Sequence, residues 1–262
     1  MKKVYLLFVL FSFLLDIPIL LPAQDNYEIQ VYGSGLTEKR HTIFELHSNY
    51  TINGSTSMQD GVYPSNHVIH ETVEITHGFA KWFEFGSYLF MSIGSDNRTA
   101  LTGVHVRPRI SIPEDHDLPV GISLWAEVGY QNPDFFGSRW AVEIRPIFDK
   151  VAGKFYFAVN LPVGRSLDAN QDNPPAGGWE FSPSFKSSFG VSEKVSLGLE
   201  YYAGLGAIGN FDPVSQQRHQ LFGAVDWAFH PDWEFNAGVG YGLTEATDKW
   251  IVKLILGYRL PF

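Results

Sequence analysis

One pattern constrains this chain more than any other. Apolar residues alternate with polar or small ones in stretches of about ten residues, each ended by turn-forming residues. TIFELHSNYTI at 42–52 and HVIHETVEITHG at 67–78 are two examples. The same period predicts strands near 83–93, 101–112, 120–130, 139–148, 154–164, 179–190, 195–205, 219–229, 233–243 and 249–260. After residue 23 there is no sustained 3.6-residue apolar period and no apolar run long enough for a membrane-spanning helix. The gaps between strands alternate in length. Phe79 to Trp82, Asp149 to Gly153, Ser192 to Lys194 and His230 to Asp232 are tight, whereas 53–66, 167–178 and 206–218 are long. Counting back from the end, an even number of strands puts every tight turn on one side. Twelve strands satisfy this and leave residues 24–40 as an N-terminal segment. Its EIQVYG stretch also alternates, but a thirteenth strand would place the two termini on opposite sides; a count of fourteen stays open.

Composition narrows the solvent around such a sheet. Charged residues make up 18% of the 262 positions and aromatics 15%, with 25 glycines, against about 25% charged in a typical soluble domain. The formal charge of −9 and the lack of a basic cluster exclude a nucleic-acid partner. With no cysteine, the chain has no disulfide, thiolate nucleophile, Cys-ligated metal or lipidated cysteine. Lys2 and Lys3 precede an apolar run from Val4 to Leu15, and Leu21-Pro22-Ala23 offers a cleavage site. Residues 1–23 therefore read as a secretory signal peptide, 24–40 as the N-terminal segment and 41–262 as the sheet domain.

Parity assigns the faces. Glu45, His47 and Asn49 oppose Phe44, Leu46 and Tyr50, and His70 and Glu74 oppose Ile69, Val73 and Ile75. By the same alternation Glu84, His105, Arg107, Arg109, Glu127, Arg139, Glu143, Arg145, Lys154, Glu180, Lys186, Glu200, Asp226, Glu234, Lys253 and Arg259 share the polar face. A soluble β-sandwich would solvate this face and bury the apolar one. A membrane barrel would do the opposite, because Arg or Lys against the lipid midplane costs roughly 2–4 kcal/mol. Acids and bases in adjacent strands then pair across a lumen. Phe79, Trp82, Phe83, Phe229, Trp233 and Phe235 beside the tight turns fit an interfacial aromatic girdle.

The chain ends WIVKLILGYRLPF, in which Trp250, Val252, Leu254, Leu256, Tyr258, Leu260 and Phe262 form one apolar stripe. This resembles the C-terminal strand of bacterial outer-membrane β-barrels, with Tyr258, Leu260 and Phe262 as the signal read by the barrel-assembly machinery. The resemblance implies an all-β, antiparallel transmembrane barrel of about twelve strands in the outer membrane of a Gram-negative bacterium, in contact with lipid. Residues 67–90 are also similar to an outer-membrane family described as members of the MetA pathway of phenol degradation. Its likeness implies passage of small, hydrophobic or aromatic compounds.

His47 and Ser48 are adjacent, so on a strand they point to opposite faces and cannot act as base and nucleophile. In HVIHE, His67 and His70 likewise diverge, and His70 with Glu74 lacks a third ligand. No metal, cofactor or catalytic residue is therefore expected. NAGVGYG at 236–242 precedes no helix, so its glycines make room for a large neighbour rather than cradle phosphate. The expected function is porin-like passive passage of small-molecule solutes. A non-conducting scaffold acting through its outer loops is the alternative, and a lipid-modifying enzyme the third.

Overall fold

A computed structural model describes residues 26–59, 61–94, 99–168 and 178–261. The signal-peptide reading of 1–23 and the terminal Phe262 lie outside the described residues. Twelve antiparallel wall strands follow one another: β1 His41–Asn53, β2 Val68–Ala80, β3 Phe83–Ile93, β4 Thr99–Ser111, β5 Gly121–Gln131 and β6 Trp140–Ala152. β7 runs as Phe155–Asn160 and Val163–Ser166, and β8 as Glu180–Phe181 and Ser184–Gly190. β9 Val195–Gly204, β10 Arg218–Trp227, β11 Trp233–Gly242 and β12 Trp250–Pro261 complete the wall. Each strand pairs with the next, and β12 pairs back onto β1, with Glu45 opposite Gly257 and Asn49 opposite Lys253. The sheet is closed and has no open edge.

β7 and β8 are interrupted side by side at Pro162 and Pro183, whose rings remove the backbone donor a ladder needs. Their carbonyls still accept, from Ser182 at 3.1 Å and Ala203 at 3.0 Å, so the wall remains sealed there. The tight connections β2–β3, β6–β7, β8–β9 and β10–β11 lie at one end, together with the β4–β5 connection and its 3-10 turn Glu114–His116. The longer loops lie at the other end. One of them contains the short helix α1, Pro133–Phe136, capped by Asn132 and closed by Gly137 at φ 76°.

The outward face is apolar. Leu46, Ile75, Val104, Leu124, Ile144, Phe185, Leu199, Leu221, Val239 and Leu254 are all exposed on the wall. The inward positions are buried and largely polar. A soluble sandwich requires the reverse, so this outline is that of an outer-membrane β-barrel with lipid around it. Phe79 and Trp82 at the β2–β3 turn are exposed as well, with the Phe79 and Phe83 rings 5.9 Å apart and tilted by 34°.

The lumen is not empty. Residues 26–38 run through it as an extended segment, with Asn26 at the loop end, 2.7 Å from Asp248, and Thr37 at the turn end, 2.6 Å from Glu84. The chain then makes a bridge from Lys39 to Gly78 and turns into β1. Gly78 permits this approach: a Cβ there would stand 2.3 Å from the carbonyl oxygens of Thr37 and Glu38. The alternation of EIQVYG therefore belongs to a segment inside the barrel, and the wall count stays at twelve.

Candidate functional site

Around this segment the wall supplies two kinds of surface. Towards β7–β12, Ile29 and Val31 pack on Ala158, Tyr202, Phe222 and Ile251, all buried. Gly240 makes this possible, because a Cβ there would lie 2.3 Å from the Phe222 ring; the inward glycine of β11 makes room for a large neighbour, as the sequence indicated. Towards β1–β6 side-chain hydrogen bonds join aromatic packing of Tyr27 on Phe90 and of Tyr32 on Trp125. Thr72 donates to the Tyr27 carbonyl at 2.7 Å, Asn49 to Asn26 at 2.8 Å, and Ser111 to Ser34 at 2.9 Å. Arg109 donates to the Gly33 carbonyl. Asn160 of β7 grips Tyr32 from both sides, accepting from its N–H at 2.9 Å and donating to its carbonyl at 2.8 Å. Ser34 and Asp149 of β6 are 2.5 Å apart.

The ionised groups form clusters. Arg107 reaches Glu74 and, at 3.0 Å, Glu84, and lies 4.7 Å from the Trp125 ring centroid. Arg109 lies 3.4 Å from Glu84. Arg145 stacks at 4.0 Å on the same Trp125 and pairs with Glu143 at 2.6 Å and Glu28 at 3.6 Å. His105 meets Glu127 at 2.6 Å. Across the lumen, Lys186 pairs with Glu200 at 3.3 Å and Asp226 at 2.8 Å, and Lys253 also pairs with Glu200. Near the turn end Arg259 meets Glu234. Arginine suits the waist because its planar fork can meet two carboxylates and an aromatic face at once.

Most sequence-derived site residues lie inside the wall. Glu45, His47, His70, Glu74, Glu84, His105, Arg107, Arg109, Glu127, Arg145, Lys186, Glu200 and Lys253 are buried, and Glu143, Asp226, Glu234 and Arg259 half-buried. Two positions depart from the parity reading, and a third breaks the rule that charges face inward. Arg139 is exposed in the loop before β6, where its N–H bonds Asp168, and Lys154 is exposed in the β6–β7 turn. Both share the inward parity in number only, since alternation stops where the strand stops. Glu71 points outward on β2, so not every charge faces the lumen. Its carboxylate accepts a 2.6 Å hydrogen bond from Ser48, directly opposite on β1. This also separates Ser48 from His47, which is buried inside.

At the loop end a cavity of about 330 Å³ opens above the segment. Its inner wall is aromatic: Tyr27 stacks on Phe136 of α1 at 4.9 Å and meets Phe90 at 5.7 Å, with His70 edge-on at 4.6 Å. Glu127, Gln131, Arg145, Arg165, Glu180 and Arg218 complete a polar rim. Tyr27, Glu28, Tyr32, Phe136 and Asp149 are site residues that the strand pattern does not reveal. Nothing in the period marks them, because four lie outside the wall strands and Asp149 falls where a turn was expected.

No family model matches the chain, and no curated protein does. Among solved structures it is similar to a KdgM porin (TM-score 0.54, 9% identity, 82% of this chain and 98% of that one). It is also similar to a NanC porin (TM-score 0.53, 8% identity, 82% and 97%). A third likeness is to a KdgM porin in complex with disordered oligogalacturonate (TM-score 0.50, 12% identity, 84% and 99%). At such identities the likeness is one of fold.

Proposed function

We propose that this protein is an outer-membrane channel for passive passage of small molecules, occupied along its lumen by its own residues 26–38. The observation that carries the reading is a closed barrel with a charged interior whose obstruction is a separate extended segment rather than the wall itself. Similar porins of this fold support it. Solutes would enter by the loop-end cavity, where Tyr27, Phe90 and Phe136 suit a small aromatic ring and the surrounding charges suit its polar substituent. That fits the resemblance to proteins of phenol degradation. Inward displacement of the segment would be the opening step.

The filled lumen favours a second reading, a non-conducting barrel that acts through its loops. A disulfide separates the two, since the chain contains no other cysteine. In Ser34→Cys/Asp149→Cys, oxidation ties the segment to β6. The channel reading expects planar-bilayer conductance or solute flux that falls on oxidation and returns on reduction. A folded wild-type protein that passes no solute under any condition leaves the scaffold.

A further inference from the structure

The β1–β2 register places Glu45 directly opposite Glu74, with His47 one inward position further along β1. These three side chains each bring a donor atom within 4.8 Å of the other two. All three are withdrawn from solvent, with exposures of 7%, 1% and 0% for Glu45, Glu74 and His47.

Their hydrogen bonding is incomplete. Neither ring nitrogen of His47 makes a hydrogen bond, although Nε2 lies 3.5 Å from Glu74 Oε2. Glu45 makes no hydrogen bond or ion pair among the described residues. A buried imidazole with two idle nitrogens costs stability unless something else meets them.

We infer that Glu45, His47 and Glu74 form a binding site for a first-row divalent transition cation at the waist of the lumen. Two carboxylate oxygens and one imidazole nitrogen suit zinc, manganese or iron, and no soft sulfur donor is present. In a tetrahedral site with bonds of about 2.1 Å, neighbouring donors lie roughly 3.4 Å apart. His47 Nε2 and Glu74 Oε2 are already at that spacing. Oε1 of Glu74 is held by Arg107 and by Thr76 at 2.7 Å, which leaves Oε2 turned to the site. The Tyr32 hydroxyl, 3.4 Å from Oε2, stands where it can bond a ligand oxygen or a metal-bound water. The local charge agrees. Glu45, Glu74 and Glu84 outnumber Arg107 and Arg109 by one, so the cluster is net negative and attracts a cation.

The test uses the full, tag-free protein in detergent micelles after chelator dialysis, with Zn²⁺ as the probe and calorimetric titration as the readout. Wild type is expected to take up one equivalent of zinc. His47→Gln and Glu45→Gln should each weaken binding by at least about tenfold. His230→Gln, in the exposed β10–β11 turn outside the lumen, should bind as wild type does. Absence of a stoichiometric site in the wild type overturns the inference, as does binding that His47→Gln and Glu45→Gln leave unchanged. If one variant fails to give heat-modifiable, folded barrel, the other and the wild-type titration decide. None of these measurements requires conduction, so the outcome is independent of whether the barrel is a channel.

Discussion

The β1–β6 and β7–β12 sectors hold the same lumenal segment by different means. In the first, carboxylates and guanidinium groups crowd the waist, and side-chain donors take the segment's carbonyls one by one. In the second, Phe222, Tyr202 and Ile251 offer an apolar bed for Ile29 and Val31. The difference teaches that the contents of a barrel need not be uniformly wet. Polar contacts fix where the segment sits at about 1 kcal/mol net each, and burial of Ile29 and Val31 adds roughly 1.5–3 kcal/mol per side chain.

Breaking the polar sector at its centre should have the largest effect. Arg107→Ala removes the cation from Glu74 and leaves Glu84 to Arg109 alone, which should cost about 3–5 kcal/mol in urea unfolding of the micelle-bound barrel. A Glu74→Gln/Arg107→Ala double variant should recover part of that loss. If the single variant unfolds like wild type, the waist pairs are not holding the wall.

Phe222→Ala attacks the other sector. It should cost about 3 kcal/mol and leave a cavity against Ile29, with faster hydrogen exchange in residues 27–33. Asn160→Leu comes next. It removes both bonds to Tyr32 and should cost about 1–2 kcal/mol, and in the channel reading it should raise the open fraction more than it lowers stability.

The smallest effect belongs to the exposed turn end. There the Asp115 carboxyl is held below its usual value by hydrogen bonds from His116 and then Lys81. A depressed carboxyl stabilises the fold above the ordinary carboxylate range and loses that contribution as pH falls through the lowered value. Because the pair is fully solvated, Lys81→Ala should leave the unfolding midpoint unchanged within error at neutral pH.

Much of the wall was legible because lipid enforces a strict rule on every strand. Phe44 against Glu45, or Val106 against Arg107, states the face of each residue without further context. That acids and bases would pair was legible too, though the partners were not. Arg107 chooses Glu74 and Glu84 through the stagger of three strands, which no local pattern encodes. Residues 26–38 were illegible for a different reason: EIQVYG has the same period as a wall strand, and its neighbours are fixed by contacts distant in sequence. Arg139 and Lys154 show parity carried past the ends of strands. Glu71 shows that one serine opposite can hold a carboxylate on the outer face.

Among the described residues, no backbone-to-backbone bond joins 26–37 to a wall strand; the grip is made by side chains. The cylinder therefore owes none of its rungs to its contents. A barrel built this way can change what occupies its bore while presenting an identical silhouette to the surrounding bilayer. The contents of the bore and the fit to the membrane become independently adjustable traits, and substitutions that retune the first need not be tested against the second.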